Sequence, residues 1–130
     1  MGATYLDSSA LVKLAFREPE SDALRRHLRS RRPWVSSALA RTEVLRALLP
    51  GGESAIAAGR AILARCDLLR VNDRVLALAG TMQPPELRSL DAIHLATAQR
   101  VRSDISELVI YDARLAEAAL QMGYRVSSPA

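Results

Sequence analysis

Four carboxylates stand where the surrounding sequence is otherwise apolar. Asp7 ends the apolar run ATYL, and Asp112 follows the apolar run ELVIY. Glu43 lies inside the helical pattern SALARTEVLRALL. Asp91 lies near the start of LDAIHLATA, in which apolar residues would face nearly every direction around a helix. Because acids are rarely placed in apolar interiors without a partner, these four side chains are candidates for a chemical role.

Each acid also has a purely structural explanation. Asp7 and Asp112 could cap the helices that follow them. Glu43 could form an exposed pair with Arg46, although its other neighbours one turn away are apolar and favour a buried or cleft-facing acid. Asp91 could complement the positive end of its helix dipole. The structural and chemical explanations differ in one prediction, which is whether the four carboxylates meet.

Convergence of the four acids would require a positive charge among them. Two carboxylates 4 Å apart repel by ~1 kcal/mol in water and by about 4 kcal/mol at an effective dielectric near 20. A donor set made only of oxygen suits hard cations such as Mg²⁺ or Mn²⁺, which usually keep waters and bind substrate phosphate. His94, one turn after Asp91, is expected in the core or behind the ligands. The residues therefore predict metal-assisted phosphoryl chemistry, in which the metal activates water and stabilises the leaving oxygen.

The elements that position these acids follow from the hydrophobic pattern. ATYL, WVSS, LLRV, ELVIY and YRVS predict five short strands, separated by segments with helical spacing. Ser36 or Ser37 is expected to cap the third helix, Asn72 the fifth, and Gly123 to end the last. Alternating strands and helices predict an α/β fold, a three-layer α/β/α sandwich with a mainly parallel sheet. Ligands bind such sheets beyond the carboxyl ends of the strands, where Asp7 and Asp112 fall.

Length and composition limit the alternatives. The 130 residues suffice for a single domain over 1–130, and one cysteine, Cys66, excludes an internal disulfide and a cysteine-based zinc site. Neither a membrane span nor a signal peptide is indicated, which predicts a cytoplasmic protein. Of 18 basic residues all but Lys13 are arginine, and the net charge is +4. Arginine's planar fork suits phosphate, so a polyanionic partner is plausible, and residues 25–32 (RRHLRSRR) form the densest patch.

Several segments, in order along the chain, resemble one known family. YLDSSALVKL, RTEVLRAL, LDAIHLATA and YDARLAEAA, followed by GYRVSSP, are similar to the PIN-domain ribonucleases, especially the VapC-type toxins of bacterial toxin-antitoxin pairs. The resemblance covers essentially the whole chain. It implies a PIN-like α/β/α sandwich and a metal-dependent endoribonuclease acting on tRNA, rRNA or mRNA, with cleavage that leaves a 5′-phosphate and a 3′-hydroxyl.

The resemblance also implies a set of site residues and partners. By position, Asp7, Glu43, Asp91 and Asp112 would be the catalytic acids that bind Mg²⁺ or Mn²⁺. Ser9 would support Asp7 or a metal-bound water. Relatives are usually homodimers and are held inactive by a cognate antitoxin whose tail enters the active-site groove.

One position departs from the family's pattern. Many relatives have Thr or Ser two residues before the last acid, where this chain has Ile110. The loss of that hydroxyl puts the support of Asp112 in doubt. No further acid stands at Ala113, Leu115 or Ala116, so a second metal would be loosely held or recruited with the substrate.

Two other classes of function remain to be distinguished. A catalytically weak module that binds RNA or the antitoxin would keep the fold and lack metal-dependent turnover. An aspartyl-phosphate protein, either a receiver domain or a haloacid-type phosphatase, is disfavoured. The phosphatase would need an acid at Ser9, and the receiver a lysine at a late strand end, whereas the only lysine is Lys13. No P-loop or dinucleotide glycine pattern occurs.

Overall fold

The computed structural model describes residues 2–130, in which short strands alternate with helices. The strands are β1 (Ala3–Leu6), β2 (Trp34–Ser37), β3 (Asp67–Leu69), β4 (Ile105–Val109) and β5 (Val126–Ser127). The helices are α1 (Ser8–Ala15), α2 (Ser21–Leu28), α3 (Ala40–Leu48), α4 (Gly52–Leu63), α5 (Asp73–Gly80), α6 (Ser89–Arg100) and α7 (Ala113–Gln121). Within the described range, no helix is both long and apolar enough to cross a membrane.

The five strands form one parallel sheet in the order β3-β2-β1-β4-β5. The chain moves outward from β1 through β2 to β3, and then returns to the other side of β1 with β4. The strand order therefore reverses between β1 and β4, where Tyr5 lies beside Leu108 and Leu6 beside Val109. A crevice outside the carboxyl ends of these two strands is the expected ligand site of such a sheet.

Two apolar cores cover the two faces of the sheet. Leu6 and Val109 pack with apolar residues of α1, α2, α3 and α4 on one face. Tyr5 and Leu108, their neighbours along the strands, pack with residues of α6 and α7 on the other. This alternation follows from the pleat, which points successive side chains to opposite faces. The predicted three-layer α/β/α sandwich with five strands is confirmed, and the sheet is parallel throughout.

Most element ends agree with the expected signals. Asn72 caps α5 through a hydrogen bond from the Val75 N–H, and Gly123 follows α7 with a φ of 89°, a backbone conformation that favours glycine. The expected cap of α3 was wrong. Ser36 and Ser37 both belong to β2, and the Ser37 hydroxyl accepts from the Leu39 N–H within the turn that precedes α3.

Candidate active site

Asp7 lies at the carboxyl end of β1 and is almost completely buried, with 3% of its surface exposed. Its Oδ1 accepts a hydrogen bond from the Ala10 N–H (3.0 Å), so it caps α1. The Ser9 hydroxyl lies 2.7 and 2.8 Å from the two carboxylate oxygens, and the same hydroxyl accepts from the Tyr111 N–H (3.2 Å). Ser9 therefore fixes the Asp7 carboxylate and ties it to the segment that leads to Asp112.

Asp112 occupies the matching position after β4, the strand that neighbours β1. Its Oδ1 accepts from the Leu115 N–H (3.0 Å) and so caps α7. Its Oδ2 accepts instead from Arg88 Nη2 (3.1 Å). The structural and chemical explanations are therefore compatible for this acid, because capping occupies one oxygen and orients the other away from the helix.

Glu43 is half-buried and forms no pair with Arg46 among the described residues. Its Oε1 accepts from the Ser8 hydroxyl (2.6 Å) and from His94 Nε2 (2.7 Å). The other ring nitrogen of His94 lies 2.8 Å from the buried Tyr5 hydroxyl. With Nε2 donating to the Glu43 carboxylate, which can only accept, the Nδ1 atom is left to the Tyr5 hydroxyl, so both ring nitrogens have a partner. His94 thus stands behind an acid, as expected from the sequence.

Asp91 lies in the first turn of α6, where its side chain is only 14% exposed. It accepts from Arg88 Nε at 3.3 Å, and the same guanidinium reaches Asp112. Arg88 therefore bridges two of the four acids. Asp91 points toward Asp112 and the crevice, not toward solvent on the far side of its helix.

The pKa values show how closely the acids are placed. Burial, with a smaller contribution from the charge of Asp112, raises the pKa of Asp7 to about 6, against the hydrogen bonds from Ser9 and the Ala10 N–H that favour the carboxylate. Burial also raises the pKa of Asp91, and the charge of Asp112 adds to that effect while Arg88 opposes it. The charge of Asp112 thus raises the pKa of both Asp7 and Asp91, because the positive charge near these carboxylates does not cancel their repulsion.

Glu43 behaves differently from the other acids. Burial opposes its ionisation, but the hydrogen bonds from His94 and Ser8 outweigh that effect and place its pKa below the usual value. Glu43 is therefore held as a carboxylate at neutral pH by its own neighbours.

The donor set fits a hard divalent cation. It consists of carboxylate oxygens at the switch point of a parallel sheet, and two of its acids have raised pKa values that a cation would lower. Within residues 2–130, however, no three acidic, histidine or cysteine side chains lie close enough to hold an ion as they stand. The reason is visible in the contacts, since Arg88 lies between Asp91 and Asp112 and Glu43 is turned toward Ser8.

Three participants were not anticipated from the sequence. Arg88 supplies the positive charge between two acids, and its position three residues before Asp91 at a helix start is a signal that could have revealed it. Ser8 and Tyr5 fix Glu43 and His94, but no sequence pattern joins them because the partners lie 35 and 89 residues apart. Ile110, at which the family resemblance led us to expect a hydroxyl residue, is buried in the core beside α6 and α7.

Known proteins are similar in sequence to this chain over nearly its whole length. The PIN domain family matches residues 4–120. Ribonuclease VapC46 of Mycobacterium tuberculosis is 65% identical over 99% of both chains, and ribonuclease VapC47 of the same species is 36% identical over 96% of both. The chain therefore belongs to the PIN-domain family. Within it, the chain is a VapC-type ribonuclease, and the resemblance expected from the sequence is confirmed.

Solved structures agree on the fold. VapC20 of Mycobacterium tuberculosis, described as a toxin that cleaves the sarcin-ricin loop, matches with a TM-score of 0.78 over 98% of this chain and 100% of its own, at 18% identity. A toxin-antitoxin complex from Klebsiella pneumoniae contains a chain that matches with a TM-score of 0.74 over 98% of both chains, at 20% identity.

Proposed function

We propose that this ribonuclease is a Mg²⁺- or Mn²⁺-dependent endoribonuclease whose metal is held by Asp7, Glu43, Asp91 and Asp112. One observation carries the proposal. Asp7 and Asp112 follow neighbouring strands at the point where the strand order reverses, and Arg88 links Asp112 to Asp91 across the same crevice. The Ser8 hydroxyl, next to Asp7 in the sequence, donates to Glu43, which supports assigning the fourth acid to the same crevice. Successive acids of this proposed set are 21 to 48 positions apart in the sequence.

The residues around the crevice would orient the four acids and keep them ionised for metal binding. Ser9 and the Ala10 N–H fix Asp7, and the Leu115 N–H fixes one oxygen of Asp112 while leaving the other for ligation. His94 and Ser8 keep Glu43 ionised, so it can bind a cation directly or through water. A bound divalent metal would supply an activated water and neutralise the charge that builds on the phosphate. Cleavage would then leave a 5′-phosphate and a 3′-hydroxyl.

Arg88 can exchange between two kinds of partner in this scheme. Its side chain is 60% exposed, and its attachment to Asp91 and Asp112 is the exposed kind of ion pair that is readily exchanged. A cation bound between these acids would compete with the guanidinium, which would then be free to bind a phosphate oxygen of the RNA.

The biological setting proposed is that of a toxin-antitoxin pair. The chain would act in the cytoplasm as the toxin, as a homodimer, on a tRNA, rRNA or mRNA, and would be inhibited by a cognate antitoxin. Support comes from the VapC relatives over the whole chain and from the toxin-antitoxin complex among the structures of the same fold.

The proposed activity is tested by incubating labelled RNA with the purified protein. We expect cleavage with Mg²⁺ or Mn²⁺, none in excess EDTA, and none with Asp91→Asn at equal concentration. The chemical groups at the product ends are then identified by testing whether phosphatase and ligase act on them. An RNA-binding module without catalysis would instead show affinity that falls with salt and no product under any metal condition. Undiminished cleavage in EDTA would refute the metal-dependent mechanism.

A further inference from the structure

A second cluster of charge lies at the opposite edge of the sheet from the acids. Trp34 begins β2 and lies beside Thr4 of β1, at the amino ends of the strands. It lines a cavity of about 260 Å³ together with four arginines. These are Arg25, Arg29, Arg32 and Arg65, drawn from α2, the loop after it and the end of α4.

Two of these arginines are positioned without being neutralised. The guanidinium carbons of Arg32 and Arg65 lie 4.5 and 4.7 Å from the centroid of the Trp34 ring. Stacking of this kind orders a guanidinium and leaves its charge and its in-plane N–H groups available. In the part of the chain that the structure describes, neither arginine has a carboxylate within salt-bridge distance.

The remaining groups around the cavity reinforce the positive charge. Arg29 also forms no ion pair within residues 2–130, and Arg25 has only a long contact of 3.7 Å with Asp22. No acidic residue in that range lines the cavity. Trp34 is 5% exposed, and its ring N–H has no hydrogen-bond partner among the described residues. Four guanidinium groups therefore surround a space that no described carboxylate lines.

The dimensions indicate which anion fits. Sites for whole small molecules usually enclose ~300–1,000 Å³, so this cavity is small for a nucleotide. Since Trp34 is buried and in contact with two guanidiniums, it offers no open surface on which a base could stack. A phosphate group needs only the bidentate N–H groups that arginine presents. The ligand that matches is the phosphodiester backbone of a larger molecule.

We propose that the arginines around Trp34 form a second binding surface for the RNA backbone, remote from the cleavage site. This inference rests on the proposed function, which supplies RNA as the substrate. The four residues of β2 span only about 13 Å. That length runs through a sheet whose two faces are covered by helices, so an RNA that contacts both edges must pass around those helices. A folded RNA bound at the acidic crevice is large enough to do so, whereas a strand of four nucleotides is not. The second surface would select for extended or folded RNA without reading its sequence.

The test compares binding of two RNA probes in the Asp7→Asn background, in which RNA should stay intact. The probes are unfractionated tRNA and a uridine tetranucleotide, measured by fluorescence anisotropy over a series of salt concentrations. The variant R32Q/R65Q removes the two stacked charges. The control R74Q/R125Q removes two exposed arginines that do not line the cavity. The variant R32K/R65K keeps the charge and serves as the conservative replacement.

The expected result is specific to the cavity and to the longer RNA. R32Q/R65Q should bind tRNA about tenfold more weakly, and the slope of log affinity against log salt should fall by roughly 0.7 to 0.9 for each phosphate that the variant no longer binds. R32K/R65K should recover most of that slope, which a merely structural role of the arginines would not predict. Binding of the tetranucleotide should be unchanged.

Three results would overturn the inference. Equal weakening in R74Q/R125Q would show that only overall charge matters. Equal weakening with the tetranucleotide would place the arginines in the cleavage groove. Tight binding of AMP or inorganic phosphate that disappears in R32Q/R65Q, with tRNA binding unaffected, would assign the cavity to a free anion. The proposed function fails separately, through the absence of metal-dependent cleavage in the protein with Asp7 intact.

Discussion

Replacing Asp7 with asparagine should stabilise the metal-free protein while removing its activity. Burial raises the pKa of Asp7 from 3.8 to about 6 in the folded state. Because the folded state disfavours the charged form, the unfolded chain loses its proton first as the pH rises. The free energy of unfolding therefore falls as the pH rises from about 4 to about 6, and above pH 6 it has fallen by the full amount.

The size of the effect follows from the shift. A difference of roughly two pKa units corresponds to about 3 kcal/mol, at 1.36 kcal/mol per unit. Asparagine is uncharged and can still accept from the Ala10 N–H as a helix cap. It accepts less strongly from the Ser9 hydroxyl, however, so the net gain at pH 7.5 should be about 1–3 kcal/mol. For a chain of this length that corresponds to a rise in Tm of roughly 3–9 °C.

The assay is urea unfolding of both proteins in EDTA at pH 7.5 and pH 4.5. Asp7→Asn should be the more stable at pH 7.5, and its stability relative to the parent protein should be lower by about 2 kcal/mol at pH 4.5 than at pH 7.5, since the carboxyl of the folded parent is protonated at pH 4.5. Asp73→Asn, at an exposed first-turn position of α5, is the matched control and should show no such gain. Addition of Mn²⁺ should stabilise the parent and not Asp7→Asn. A variant that is less stable at pH 7.5, or a difference that does not change with pH, would refute the reasoning.

Further predictions concern the groups that hold the acids. Ser9→Ala should weaken Mn²⁺ binding about 10–100-fold in calorimetry, because Asp7 loses the hydroxyl that orients it, and unchanged affinity would contradict this role. Arg88→Gln should tighten Mn²⁺ binding about two- to fivefold, since exposed pairs contribute only ~0.2–1 kcal/mol each; weaker binding would show that Arg88 does not compete with the metal. His94→Leu should destabilise the protein by about 1–3 kcal/mol in urea unfolding, because the buried Tyr5 hydroxyl and Glu43 lose a partner, and a stability equal to the parent would exclude that account.

The fold could be predicted almost completely from the sequence because its elements are short and sharply bounded. The strands ATYL and WVSS were predicted with the bounds that the structure has, since ATYL stops at Asp7 and WVSS starts directly after Pro33. β4 (Ile105–Val109) lies two residues earlier at both ends than the predicted ELVIY, because its pairing with β1 begins between Ala3 and Ile105 and ends between Leu6 and Val109. A cap at α3 was mispredicted because Ser36 and Ser37 are fully buried strand residues, a property that depends on tertiary packing.

The four acids, the support of Asp7 by Ser9 and the place of His94 behind an acid could be predicted from the sequence, but the other partners of the acids could not. Asp7, Asp91 and Asp112 stand out because each ends an apolar run or opens an apolar helix. The partners of Glu43 come from distant segments, and a hydrogen bond such as that between Tyr5 and His94 leaves no local pattern. The arrangement around Trp34 is similar, since the arginine-rich segment 25–32 was visible while its pairing with Arg65 was not.

The central claim is that the four acids share one divalent cation. Its most direct test is diffraction from crystals of the protein soaked in Mn²⁺, recorded on both sides of the manganese absorption edge. The account predicts an anomalous peak among Asp7, Glu43, Asp91 and Asp112, with the directly bound carboxylate oxygens at about 2.0–2.3 Å and Arg88 displaced from Asp112. A manganese peak elsewhere, or none in crystals of a protein that cleaves RNA in the same buffer, would contradict it.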